Sequence, residues 1–120
     1  MPKLVYTAAK GLVQEAGSGI NVESTDGTCV TNAATIDGTS GVITLVAATI
    51  ADGELGTVQT ITNGSVTATS TILLDVDEHG ESAPVPLLQS VSAGSFTFRL
   101  GNVHGATDIT SAVKISYLVL

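Results

Sequence analysis

The sequence predicts an all-β domain, an antiparallel β-sandwich of jelly-roll-like design preceded by an extended N-terminal arm. Three observations predict it. Apolar residues recur with period two over several short stretches, as half-buried strands require. Glycine, asparagine and aspartate punctuate those stretches at a spacing close to one strand plus one turn. Aromatic residues are only 3% of the chain and charged residues 12%, so the core has to be built from β-branched and other aliphatic side chains.

Taken in chain order, the first thirty or so residues differ from the rest. Gly11, Gly17 and Gly19 interrupt any strand, and residues 10–16 carry a weak helical pattern. Residues 1–32 therefore read as an arm or a loosely attached first strand, and residues 33–120 as the sandwich. Strands are expected at residues 41–47, 55–62 and 69–76, the last with Ile72, Leu74 and Val76 on one side and Leu73 breaking the polar side. A further strand covers residues 85–91. Pro84 and Pro86 at its entry point to a sheet edge, because proline has no N–H to give a ladder.

Residues 94–103 place Phe96, Phe98 and Leu100 on one face and Thr97 and Arg99 on the other, which makes the two phenylalanines core residues. In residues 112–120, Val113, Ile115, Tyr117 and Val119 share a face, while Leu118 and Leu120 make the opposite face apolar as well. A strand apolar on both faces is central or lies at an interface. Turns are expected at Asp26-Gly27, Asp37-Gly38, Asp52-Gly53, Asn63-Gly64 and Ala93-Gly94.

Composition limits the function classes. With 120 residues there is room for one domain, and a mean hydropathy of +0.43 leaves apolar surface over once a small core is filled. Association would cover that surface. Eleven acidic residues against four bases give a formal charge of −7, and Lys3, Lys10, Arg99 and Lys114 are scattered, so a nucleic-acid partner is not expected. Cys29 is the single cysteine, which rules out an intrachain disulfide and fits synthesis in the cytoplasm. No apolar run reaches the length of a membrane span, and the opening residues lack a signal-peptide pattern, so neither a membrane partner nor classical secretion is expected.

The motifs that could carry chemistry each have a plainer explanation. Asp75-Val76-Asp77-Glu78-His79-Gly80-Glu81 could offer carboxylates to a hard cation, but it lacks the spacing of a calcium loop and reads as an acidic loop after a strand. A serine with His79 or His104 and Asp75 or Asp108 has the ingredients of a hydrolase, with no Gly-x-Ser-x-Gly elbow. His104 reads as a surface residue in a turn. Gly17-Ser18-Gly19 lacks the strand-to-helix setting of a nucleotide loop, and Asn63-Gly64-Ser65 is a turn rather than a glycan acceptor. Cys29 has no nearby Cys or His at metal-ligand spacing and reads as a small apolar residue. No catalytic, cofactor-binding or metal residue is therefore assigned, and the chain is not expected to be an enzyme.

Three segments carry a resemblance. They are Ile61-Thr62-Asn63-Gly64-Ser65-Val66-Thr67-Ala68-Thr69-Ser70, Ser92-Ala93-Gly94-Ser95-Phe96-Thr97-Phe98-Arg99-Leu100-Gly101-Asn102, and Val113-Lys114-Ile115-Ser116-Tyr117-Leu118. In this order they resemble small virion proteins of tailed bacteriophages, of the capsid decoration (cement) and fibre type. The opening Tyr6-Thr7-Ala8-Ala9-Lys10-Gly11-Leu12-Val13 is similar in character. The resemblance implies a sandwich or jelly-roll subunit, commonly a homotrimer, with the major capsid protein as partner, the capsid surface as location and no catalytic residues.

The function expected is thus that of a decoration subunit stabilising a phage head by binding between capsomers. The alternative is a receptor- or glycan-binding module of a tail or head fibre, against which the scarcity of aromatic residues for sugar stacking counts. Neighbouring reading frames separate the two: capsid genes favour cement, tail genes a fibre.

Overall fold

The computed structural model describes residues 3–7, 11–16, 24–46, 49–79 and 84–120. Ten strands are present among them, and no helix. β1 (Lys3–Thr7) and β2 (Gly11–Ala16) form an antiparallel two-stranded sheet of their own. The weak helical pattern of residues 10–16 does not become a helix: Lys10 lies outside the described residues, and Gly11–Ala16 is strand, although Gly11 reads as a strand breaker. Leu12 and Val13 are as compatible with strand pairing as with a helix turn, and local pattern alone does not separate the two over six residues.

The other eight strands make two four-stranded sheets packed against each other. The first has the order β3 (Gly27–Cys29), β5 (Ser40–Leu45), β10 (Val113–Val119), β7 (Ile72–His79). The second has the order β4 (Ala33–Thr35), β6 (Gln59–Thr62), β9 (Ser95–Asn102), β8 (Pro84–Ser92). Both sheets are mixed rather than purely antiparallel, because β3 runs parallel to β5 and β4 parallel to β6. That correction has a local cause.

Between β3 and β4 the chain turns at Thr31 and Asn32, both left-handed (φ 52° and 62°), with Val30 and Ala33 exchanging backbone hydrogen bonds of 3.0 and 3.2 Å. This corner passes the chain from the edge of one sheet to the edge of the other. Gly27–Cys29, on the arm side of the expected boundary, is in this way the edge strand of a sandwich sheet.

The alternation read from the sequence describes the core. β10 buries Val113, Ile115, Tyr117 and Val119 while Lys114, Ser116 and Leu118 face outward, and it is a central strand as expected. β9 buries Phe96, Phe98 and Leu100. Phe96 stacks on Phe98 (centroids 6.3 Å apart) and lies against Tyr117 of the opposite sheet (6.5 Å), so these rings join the two layers. Around them pack Ile36, Ile43, Leu45, Ile61, Val66, Ile72 and Ile109. β8 is the edge strand that Pro84 and Pro86 forecast.

Three expectations about local structure change. Asp26-Gly27 is no turn: it leads straight into β3, and the Asp26 carboxylate accepts hydrogen bonds from the Ser24 hydroxyl (2.8 Å) and the Val42 N–H (2.9 Å). The expected strand over residues 55–62 is broken. Leu55 pairs with Gly101 of β9 in an isolated bridge, and regular pairing resumes only at Gln59. Finally, residues 75–79 of the acidic run are strand, not loop; Gly80 and Glu81 lie outside the described residues.

Candidate functional site

The residues singled out for possible chemistry are dispersed. Asp75 and Asp77 sit exposed on β7, and the register slips there so that Lys114 is opposite Glu78 and Ile115 opposite Val76. Asp77 is the extra residue of this β-bulge, which bends the edge strand and weakens it as a template for a further strand. The side chain of His79 lies outside the described residues. His104 belongs to the β9–β10 connection, where its Nδ1 accepts the Ala106 N–H at 3.0 Å. In the same connection the Asp108 carboxylate accepts the Asp52 N–H at 3.1 Å. His104 and Asp108 each stabilise a loop by taking a backbone donor.

Cys29 is buried in the core, and burial pushes its thiol up to about 11. A thiol held protonated in this way is a poor nucleophile at neutral pH. Among the described residues, no group of three or more His, Cys, Asp or Glu side chains is placed to hold a metal ion. Gly17 and Gly19 lie outside the described residues.

Among the described residues the buried polar side chains are two asparagines, Asn102 at the end of β9 and Asn63 just after β6. Asn102 is 2% exposed. Its Nδ2 donates to the carbonyls of Ile50 (3.1 Å) and Thr107 (2.8 Å), and its Oδ1 accepts the His104 N–H (3.1 Å). Asn63, wholly buried, uses the same device beside the β8–β9 turn: Nδ2 donates to Gly38 O (2.8 Å) and Oδ1 accepts the Ser65 N–H (2.8 Å). Each carboxamide thus joins its own turn to a distant loop, and every such group is satisfied where an unpaired one would be costly. Their role is to hold the two ends of the sandwich in shape.

What the outer surface offers instead is apolar. On the outside of the second sheet, Val85 of β8 is opposite Gly101 of β9, and Leu55 pairs with Gly101 from the other side. Leu87, one step along β8, is opposite Arg99. A β-carbon built on Gly101 would be 3.4 Å from Leu55 Cδ2 and 3.5 Å from Leu87 Cδ1, so these side chains close over the glycine. The result is a continuous apolar row across β8, β9 and the bridging segment at Leu55, with Leu55, Val85 and Leu87 exposed by 52%, 36% and 44%. Arg99 flanks it, its Nε donating to Gly56 O at 2.9 Å.

A smaller apolar pair, Leu73 opposite Leu118, lies on the outside of the first sheet. The apolar outer face of β10 is legible in the sequence, and the row at Gly101 is not. Only the pairing of β8 with β9 and the Leu55 bridge assembles that row, and Leu55 is distant in sequence from Val85 and Leu87.

Compared with protein-family models, curated proteins and solved structures, the chain matches none of them.

Proposed function

We propose that this chain is a structural subunit of a phage virion, a capsid decoration protein that stabilises the head by binding between capsomers, and that it acts as a homotrimer. The observation that carries the reading is the exposed row of Leu55, Val85 and Leu87 around Gly101. Soluble single chains seldom leave contiguous apolar side chains uncovered, and an apolar centre with a polar or charged rim is the composition of a binding surface. Arg99 supplies such a rim.

A sandwich has rigid faces, and rigid faces hold a surface of this kind ready without an ordering cost on binding. A subunit that binds only the assembled shell adds interface free energy that must be lost before the capsomers separate. It stabilises the shell by linkage and requires no chemistry. The reading carries with it a jelly-roll-like chain path and an N-terminal arm that orders on a neighbouring subunit. Of the resemblance-bearing segments, the second supplies the whole of β9, whose Gly101 is the centre of the apolar row.

The test is solution mass together with disruption of the row. Light scattering on the full chain is expected to give three copies. The double substitution Leu55→Glu, Leu87→Glu is expected to give a folded single chain. A single chain for the unsubstituted protein would remove the trimer, and binding to glycans in place of a shell would favour a fibre module.

A further inference from the structure

Asn-Gly is the dipeptide in which an asparagine side chain is most readily attacked by the next backbone nitrogen, since glycine puts no side chain in the way. Asn63-Gly64 is such a pair, and it lies in an exposed turn: Gly64 and Ser65 are on the surface while Asn63 is wholly buried. The attack would join Gly64 N to Asn63 Cγ. The Cγ–Nδ2 bond breaks, and the nitrogen leaves as ammonia, carrying the proton lost by Gly64. Water then opens the cyclic imide at either carbonyl, giving aspartate or isoaspartate at position 63.

The fold opposes the attack that starts this. Gly64 N donates its proton to Asp37 Oδ1 at 2.7 Å. To become a nucleophile that nitrogen must lose the proton, and a carboxylate in contact with it disfavours the anion that would form. The departing Nδ2 is held by Gly38 O at 2.8 Å, and Oδ1 by the Ser65 N–H at 2.8 Å. The Ser65 contact alone would assist, since charge develops on that oxygen. Taken together, however, the two bonds fix the carboxamide plane while Gly64 N is turned to Asp37. Further bonds close the corner, from Asn63 N to Gly94 O at 2.9 Å and from Ile36 N to Thr62 O at 2.9 Å.

We propose that Asn63 is a latent deamidation site that the folded sandwich holds shut, with Asp37 as its latch. Conversion then proceeds through states in which the corner between β4, β6 and the β8–β9 turn has opened. It is also irreversible. The product lacks the Nδ2 donor to Gly38 and places a carboxylate where a neutral amide was buried, so a converted chain does not regain the native corner. Excursions from the fold would in this way be recorded in the covalent structure.

The experiment follows conversion at position 63 in the full chain by peptide mass mapping, in warm, mildly alkaline buffer, with and without guanidinium chloride at unfolding concentration. The native rate is expected to be more than about tenfold below the unfolded rate, as for a reaction gated by local opening. Asp37→Ala, checked for native circular dichroism, is expected to raise the native rate and leave the unfolded rate unchanged. Equal native and unfolded rates would overturn the proposal. So would a folded Asp37→Ala protein whose native rate is unchanged or lower. Should Asp37→Ala not fold, Asp37→Ser, which keeps a polar side chain but removes the charge, is read in the same way.

Discussion

The Tyr117 hydroxyl, on the central strand of the first sheet, donates a 2.8 Å hydrogen bond to the carbonyl of Thr25, 92 residues earlier in the chain. That carbonyl also passes close to Gly41: a β-carbon built there would be 1.9 Å from Thr25 O, a distance only glycine permits. One ring therefore serves twice, packing against Phe96 in the core and fastening the segment that enters β3.

Tyr117→Phe keeps the ring and removes the tie. It is expected to cost about 1 kcal/mol, the usual net worth of one such bond, measured by denaturant unfolding. Gly41→Ala is expected to cost more, because backbone has to move.

The pH dependence of stability is set by named groups. The Cys29 thiol is pushed up to about 11 by burial, so above the ordinary thiol value of about 8.5 the unfolded chain binds fewer protons than the native one. Stability is expected to fall as pH rises from there to about 11, and Cys29→Ala is expected to flatten that slope in thermal melts. Tyr117 adds a further loss at higher pH, its hydroxyl being raised by burial and then by the charges of Asp26 and Asp37. Asp26 has the opposite sign. Its hydrogen bonds from Ser24 and from the Val42 N–H lower its pKa, so its contribution is present above the free carboxylate range and is lost on acidification. Asp26→Asn is expected to weaken the acid dependence.

Asn102→Ala removes the three hydrogen bonds by which the buried carboxamide ties the carbonyls of Ile50 and Thr107 to the N–H of His104; the Ile50 carbonyl keeps its bond from the Ile109 N–H. A cost of about 2 kcal/mol is expected, with loss of hydrogen-exchange protection concentrated in the β9–β10 connection.

At Thr31 a β-branched residue is held left-handed, φ 52°, in the corner that joins the two sheets. Asparagine tolerates that conformation, as Asn32 beside it does. Thr31→Asn is expected to stabilise the protein by about 1 kcal/mol, read as a rise in Tm.

Much of the fold was legible because strand burial writes itself into sequence with period two. Phe96, Phe98, Val113, Ile115, Tyr117 and Val119 are core residues on the faces the alternation assigns. Pro84 and Pro86 mark an edge strand because the missing N–H acts locally. The parallel pairs β3–β5 and β4–β6 were hidden, since they depend on the Thr31-Asn32 corner, whose asparagine stands without the following glycine that marks the other turns. The buried asparagines were hidden too. Asn63 reads as an ordinary surface turn residue until the carbonyl of Gly38, from another element, is seen to receive it. The apolar row around Gly101 is the work of β8, β9 and the isolated bridge at Leu55, and no local pattern encodes their pairing.

The most direct test of the proposed function is the solution mass of the full 12.0 kDa chain at micromolar concentration by multi-angle light scattering, beside the Leu55→Glu, Leu87→Glu protein. The proposed assembly surface predicts a mass of three chains for the former and of one chain, with native circular dichroism, for the latter. A single-chain mass for the unsubstituted protein, or a trimer unaffected by both substitutions, would contradict it.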